Sequence, residues 1–208
     1  MAAHLPAFAA SILAVLCLNA TQADMEQSVK NLKVVDAALD ANDLDKAKKW
    51  LDWVYGYLND AKKAEERNLH IDGPTVPPPP GLVRRAARAR ALLLSRDPKS
   101  TAANREEAKK IYERQVLGAK PDPATQADYG EILSRIPAQT ATATTMLRTL
   151  RDKDLMGSAH AYAALAELEK AAGDTTAEAD ARAKCKTRTK VPAICTTPPP
   201  PAPAPAAP

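Results

Sequence analysis

The chain has 208 residues, with 29 Lys and Arg against 25 Asp and Glu for a formal net charge of +4, and only seven glycines and one phenylalanine. Alanine is abundant and no alternating run of β-branched residues is long enough for a sheet strand, which excludes a β-rich fold. No glycine-rich phosphate loop, G-x-S-x-G elbow or H-E-x-x-H pair is present, which excludes the enzyme classes built on those motifs.

At the amino terminus, Leu5 to Leu18 form an apolar run of 14 residues, followed by the small and polar NATQAD. Thr21 and Ala23 fall three residues and one residue before a cut ahead of Asp24. This pattern predicts a cleaved secretory signal over residues 1–23, with the n-region MAAH lacking Lys and Arg. The other reading is an uncleaved apolar first helix. A lipid anchor through Cys17 fits less well, because Leu16 is bulky where such sites have a small residue. The run is too short to span a bilayer and no later run of 18 apolar residues follows, so no transmembrane segment is expected in the mature chain.

Residues 24–70 read as a helical hairpin. In DANDLDKAKKWLDW, residues 40–53, a polar turn is followed by a small residue and then by an aromatic and leucine stripe at helical spacing. Ala47, Leu51, Val54 and Leu58 form one stripe, with Trp50, Trp53 and Tyr57 recurring beside it at three and four residues. The combined face is wider than one partner helix needs. Two readings stay open: both tryptophans pack as hairpin core on Leu32, Val35 and Leu39, or Trp50, Trp53 and Tyr57 form an aromatic contact patch for a partner.

The proline cluster GPTVPPPPG, residues 73–81, cannot continue a helix, and a linker over 71–81 divides the chain into two helical parts. Beyond it, residues 82–120 hold eleven basic and four acidic side chains, whereas 121–183 hold six basic and ten acidic. Arg84, Arg85, Arg88 and Arg90 are the dense part; at helical spacing Arg84 and Arg88 share a face, while Leu92 to Leu94 continue toward the core. This run reads either as a solvated helix face or as a site for an anionic partner, an acidic protein segment or an envelope polymer. Nucleic acid is not expected, given export and the absence of aromatics among the arginines.

Internal similarity sets the architecture of residues 82–190. Aligning REEAKKIYERQV, TATATTMLRTL and TAEADARAKC on Ala108, Ala143 and Ala179 gives spacings of 35 and 36 residues. Tyr129 with Ile132, and Leu165 with Leu168, precede the second and third alanines at matching offsets of 14 and 11. Each unit reads as two helices that a small residue lets approach, and stacking is implied because one pair cannot bury its stripe alone. With the signal removed, Cys185 and Cys195 remain with nine residues between them, and in an oxidising compartment they read as a disulfide. Residues 191–208 form a disulfide-pinned tail whose last part, PPPPAPAPAAP, cannot pack and is expected to be disordered or polyproline II. His70 and His160 lie in different segments, two cysteines without a nearby histidine make no zinc site, and the many carboxylates read as solvated helix faces.

These repeats resemble the tetratricopeptide repeat. The residues that carry the resemblance are the turn AND at 41–43 with Ala47 five residues after Asn42, Ala108 with Tyr112, Pro121, and the turn KAAGD at 170–174. Glu178 occupies the position where that family has a small residue, the loop SRDPKSTAAN is longer than its turn, and Pro137 replaces a turn glycine. The resemblance implies an all-α protein of antiparallel hairpins stacked as a short solenoid, binding protein or peptide partners on its curved surface. No catalytic residue and no cofactor transfer with it. The expected function is a non-enzymatic scaffold in a bacterial periplasm or secreted. The alternatives are a protein that binds an envelope polymer or anionic lipid through the arginine helix, and an enzyme with an unrecognised site.

Overall fold

The computed structural model of the chain describes residues 7–66 and 78–196, with side chains over 24–59 and 78–196. His70, most of the expected linker, and the proline-rich end of the tail lie outside the described residues. Among the described residues there are eight α-helices and no strand: α1 Ala7–Asp40, α2 Leu44–Glu66, α3 Pro80–Arg96, α4 Ala102–Tyr112, α5 Pro123–Ser134, α6 Thr140–Asp152, α7 Ala159–Ala171 and α8 Thr175–Thr187. A π-helical turn, Glu113–Leu117, extends α4, and short 3-10 turns span Pro137–Gln139 and Pro192–Cys195. The chain is all-α. α1 runs unbroken through the expected cut before Asp24, and its described packing residues begin at Ser28.

Short sequences set the helix ends. Asn42 (φ 57°) and Gly173 (φ 79°) take the left-handed conformation that ends α1 and α7, and the next N–H reaches back to the Ala38 and Glu169 carbonyls at 2.8 and 3.0 Å. The residue after each then starts the following helix: Asp43 Oδ1 accepts from Lys46 N–H at 3.1 Å, and Asp174 Oδ1 from Ala177 N–H at 2.9 Å. AND and GD are thus the same turn. Asp154 (φ 51°) closes α6 similarly, with Leu155 N–H donating to the Leu150 carbonyl at 2.9 Å. Thr101, Asp122 and Ser158 cap α4, α5 and α7, while Pro80 and Pro123 sit in first turns where a missing N–H costs nothing.

Each odd-numbered helix pairs with the even-numbered helix after it, α1 with α2 through α7 with α8. The odd-numbered helices also pack in succession, and α2, α4 and α6 each touch the odd-numbered helix that follows. The proline linker separates two parts in sequence but not in space, because α3 packs on both α1 and α2. One apolar cluster accordingly runs from Leu32, Val35, Ala47, Leu51 and Val54 through Leu92, Tyr112 and Ile132 to Ala143, and a second joins Leu147, Tyr162, Leu165, Ala181 and the two cysteines. In α5, a Cβ at Gly130 would lie 2.7 Å from Leu147 Cδ2, so glycine is what lets α6 approach there.

Of the three alanines aligned by spacing, Ala108 and Ala143 are fully buried, whereas Ala179 is exposed and cannot be the small packing residue of its helix. In α8 the packing face is carried by Ala181 and Cys185, a helical turn apart. Cys185 and Cys195 are joined as a disulfide, which ties the Pro192–Cys195 turn to α8. No described helix is long and apolar enough to cross a membrane.

Candidate functional site

α2 presents two faces. Ala47, Leu51 and Val54, at spacings of four and three, turn into the first hairpin and are buried. Trp53 falls off that stripe and is 67% exposed, the most exposed large apolar side chain among the described residues. Trp50 and Tyr57 are half-buried against the core, so the reading of both tryptophans as hairpin core is corrected for Trp53. Trp53 and Tyr57, with Gly56 between them, line one wall of a groove of about 860 Å³, and Asp24, Gln27 and Asn31 of α1 line the other. Gln27 Nε2 donates to Asn31 Oδ1 at 2.8 Å, and Lys48 pairs with Asp52 at 2.7 Å, so the polar rim is largely satisfied from within. Burial, aided by the Asp24 charge, pushes the Tyr57 hydroxyl up. The groove thus offers an indole and a phenol beside hydrogen-bonding groups, a composition suited to contact rather than to proton transfer.

Of the five arginines of α3, the four nearest its start, Arg84, Arg85, Arg88 and Arg90, divide differently from their expected faces. Arg85 Nη2 donates to Asp36 at 2.6 Å, and Arg88 bridges Asp36 (3.3 Å) and the buried Asp128 (2.6 Å), tying α3 to α1 and α5. Arg85 and Arg88 therefore share the inward side, and Arg84, expected there with Arg88, is exposed and makes no ion pair among the described residues. Arg90 lies 5.5 Å from the centroid of the half-buried Tyr55 ring and 3.9 Å from Glu107. Three of the four thus serve the fold.

Deeper in, polar groups link the odd-numbered helices. Glu131, completely buried in α5, accepts two bonds from Arg96 of α3 at 2.8 and 2.7 Å and one from Arg135 at 3.2 Å. Burial opposes ionisation of Glu131, but the Arg96 guanidinium outweighs it and holds this carboxyl far below the usual range. Arg96 Nη1 also donates to the Leu39 carbonyl at 2.8 Å, and the same oxygen accepts from His160 Nε2 of α7 at 3.1 Å. Burial, with Arg96 nearby, lowers the His160 imidazole to about 4, so it is neutral at pH 7 and donates through Nε2. Glu169, also fully buried, pairs with Arg148 and with Arg151. The reading of the carboxylates as solvated faces is therefore corrected for Asp128, Glu131 and Glu169. Asp128 and Glu131 stand three apart in QADYGEIL, next to Ala127, Ile132 and Leu133, and that juxtaposition is the signal that marks them.

A second cleft, of about 620 Å³, opens where the odd-numbered helices meet the 188–191 segment, and Asp40, Arg88, Asp128, His160, Arg188 and Lys190 line it. Its inner charges Arg88, Arg96 and Asp128 are paired; at its rim Arg188 and Lys190 are exposed, with Arg188 3.7 Å from Asp154. The aromatic groove and this cleft lie on different sides of α1: Asn31 and Ser28 border the first, Ala37 and Asp40 the second. The partner-site candidates thus separate into an exposed Trp53 flanked by the partly packed Trp50 and Tyr57, and Arg84, without an ion pair among the described residues, beside Arg85, Arg88 and Arg90. Set against family models, curated proteins and solved structures, the chain matches none.

Proposed function

We propose that this chain is an exported, non-enzymatic protein-interaction module, built as a short solenoid of tetratricopeptide-like hairpins and engaging a protein or peptide partner. The single observation that carries the reading is Trp53, which stands largely exposed on the wall of a groove although an apolar stripe lies next to it on the same helix. Fully packing a tryptophan there would stabilise the hairpin by a few kcal/mol, on the order of the loss seen when a core aromatic is truncated. Leaving it in water is a cost to the free protein that binding recovers. The order in which the hairpins pack, the repeated turn of a left-handed residue followed by a capping Asp, and the buried Ala47, Ala108 and Ala143 support the repeat reading. The disulfide supports an oxidising compartment.

The groove is favoured over the arginine helix because Arg85, Arg88 and Arg90 already have partners within the fold. Capture from envelope extract at two ionic strengths, with wild type, Trp53→Ala and Arg84→Ala, tests this. Binding that survives moderate salt and is lost in Trp53→Ala supports the groove. Binding that collapses with salt and depends on Arg84 supports the anionic-polymer reading instead. Amino-terminal sequencing of the exported protein, expected to begin at or near Asp24, tests the compartment separately.

A further inference from the structure

Five arginines and three carboxylates gather where α3 meets α1, α4 and α5. Arg85 and Arg88 are matched by Asp36 and Asp128, and Arg96 and Arg135 share Glu131. Arg105, in the first turns of α4, is only 3% exposed and has no carboxylate partner among the described residues. Its sole side-chain hydrogen bond there is a long one, from Nη1 to the backbone carbonyl of Arg135 at 3.5 Å, and its charge is felt by the Arg135 guanidinium. The Nε donors of both Arg105 and Arg135 are buried and unmatched. A buried guanidinium without a counter-charge is among the costliest arrangements a fold can hold, and a neutral water would satisfy the donors without offsetting the charge. The surrounding charges sharpen the imbalance, since Arg96 and Arg105 both act on Arg135 and only Glu131 opposes them.

We infer that a small inorganic anion, of the size of chloride or phosphate, binds between Arg105 and Arg135 where the start of α4 meets the end of α5, accepting from their two Nε–H groups. The anion would supply the missing negative charge and pin the second hairpin to the third. This site is independent of the aromatic groove and of its partner.

Thermal unfolding of the full mature chain at constant ionic strength tests it, starting in gluconate, an anion too bulky for a buried site, and replacing it stepwise with chloride or, separately, inorganic phosphate. The expected result is a saturable rise in Tm with at least one of the two small anions, roughly 5–10 °C at a hundredfold excess over Kd. Arg105→Met should abolish that rise and, in gluconate, should melt at or above wild type, because an unbalanced charge has been removed. Arg84→Met, altering a solvated arginine, should keep it. A wild-type Tm indifferent to both small anions, or a rise undiminished in Arg105→Met, overturns the inference. Should Arg105→Met not fold, Arg105→Lys, which keeps the charge but lacks the Nε donor, takes its place, and an undiminished response there overturns it equally.

Discussion

Ala47 and Trp53 lie six residues apart on α2 and have opposite surroundings, the first without exposed surface and the second mostly in water. Ala47→Phe should therefore force the first hairpin apart and lower stability by about 1–3 kcal/mol, as overpacking does. Trp53→Ala should stay within about 0.5 kcal/mol of wild type in the same denaturant titration. A large loss in Trp53→Ala would return that side chain to the core. His160 gives a pH signature. Its folded pKa is depressed to about 4, so between the unfolded value near 6.5 and that point the unfolded chain binds a proton that the native state refuses. Stability is then fully present above about pH 6.5 and falls by roughly 2 kcal/mol between pH 7 and 5. Urea midpoints should show this decline, and His160→Gln should flatten it over that window. Ala47 was legible as the small residue of its stripe, but Trp53 sits beside that stripe and reads equally well as core, and a buried histidine carries no mark in the sequence.

Turns and helix stripes were more legible, because local chemistry decides them. AND and GD announce a left-handed residue followed by a capping aspartate, and both close hairpins as expected. Gly173→Ala places a Cβ at φ 79° and should cost about 1 kcal/mol, read from thermal melts, with little change in helix content. The phase of α8 was not legible. TAEADARAKC offers alanines at 177, 179, 181 and 183, so a small residue can be placed on any face and the repeat spacing selects the wrong one. What settles the face is Cys185, whose disulfide and packing bring Ala181 inward with it. The arginines of α3 misled for a related reason: helical spacing groups them, but only the positions of Asp36, 49 residues from Arg85, and Asp128, 40 from Arg88, decide which are solvated.

For the molecule as a whole, the all-α class and the pairing of helices were readable from periodicity, whereas the continuity of the core across the proline linker was not, since it depends on contacts between distant segments. The disulfide closes a short loop, and on the chain-entropy view its reduction should lower stability by about 3 kcal/mol; melts with and without reductant measure this. A larger consequence follows from the Leu39 carbonyl, which accepts from Arg96 in the second hairpin and from His160 in the fourth, 121 residues away. Arrays of repeats ordinarily fray from their ends, each unit held only by its neighbours. Here one backbone oxygen of the first hairpin also holds the fourth. Opening either end breaks the same acceptor, so the two ends should lose amide protection together, and hydrogen exchange should follow a single cooperative unfolding instead of a gradient from the termini.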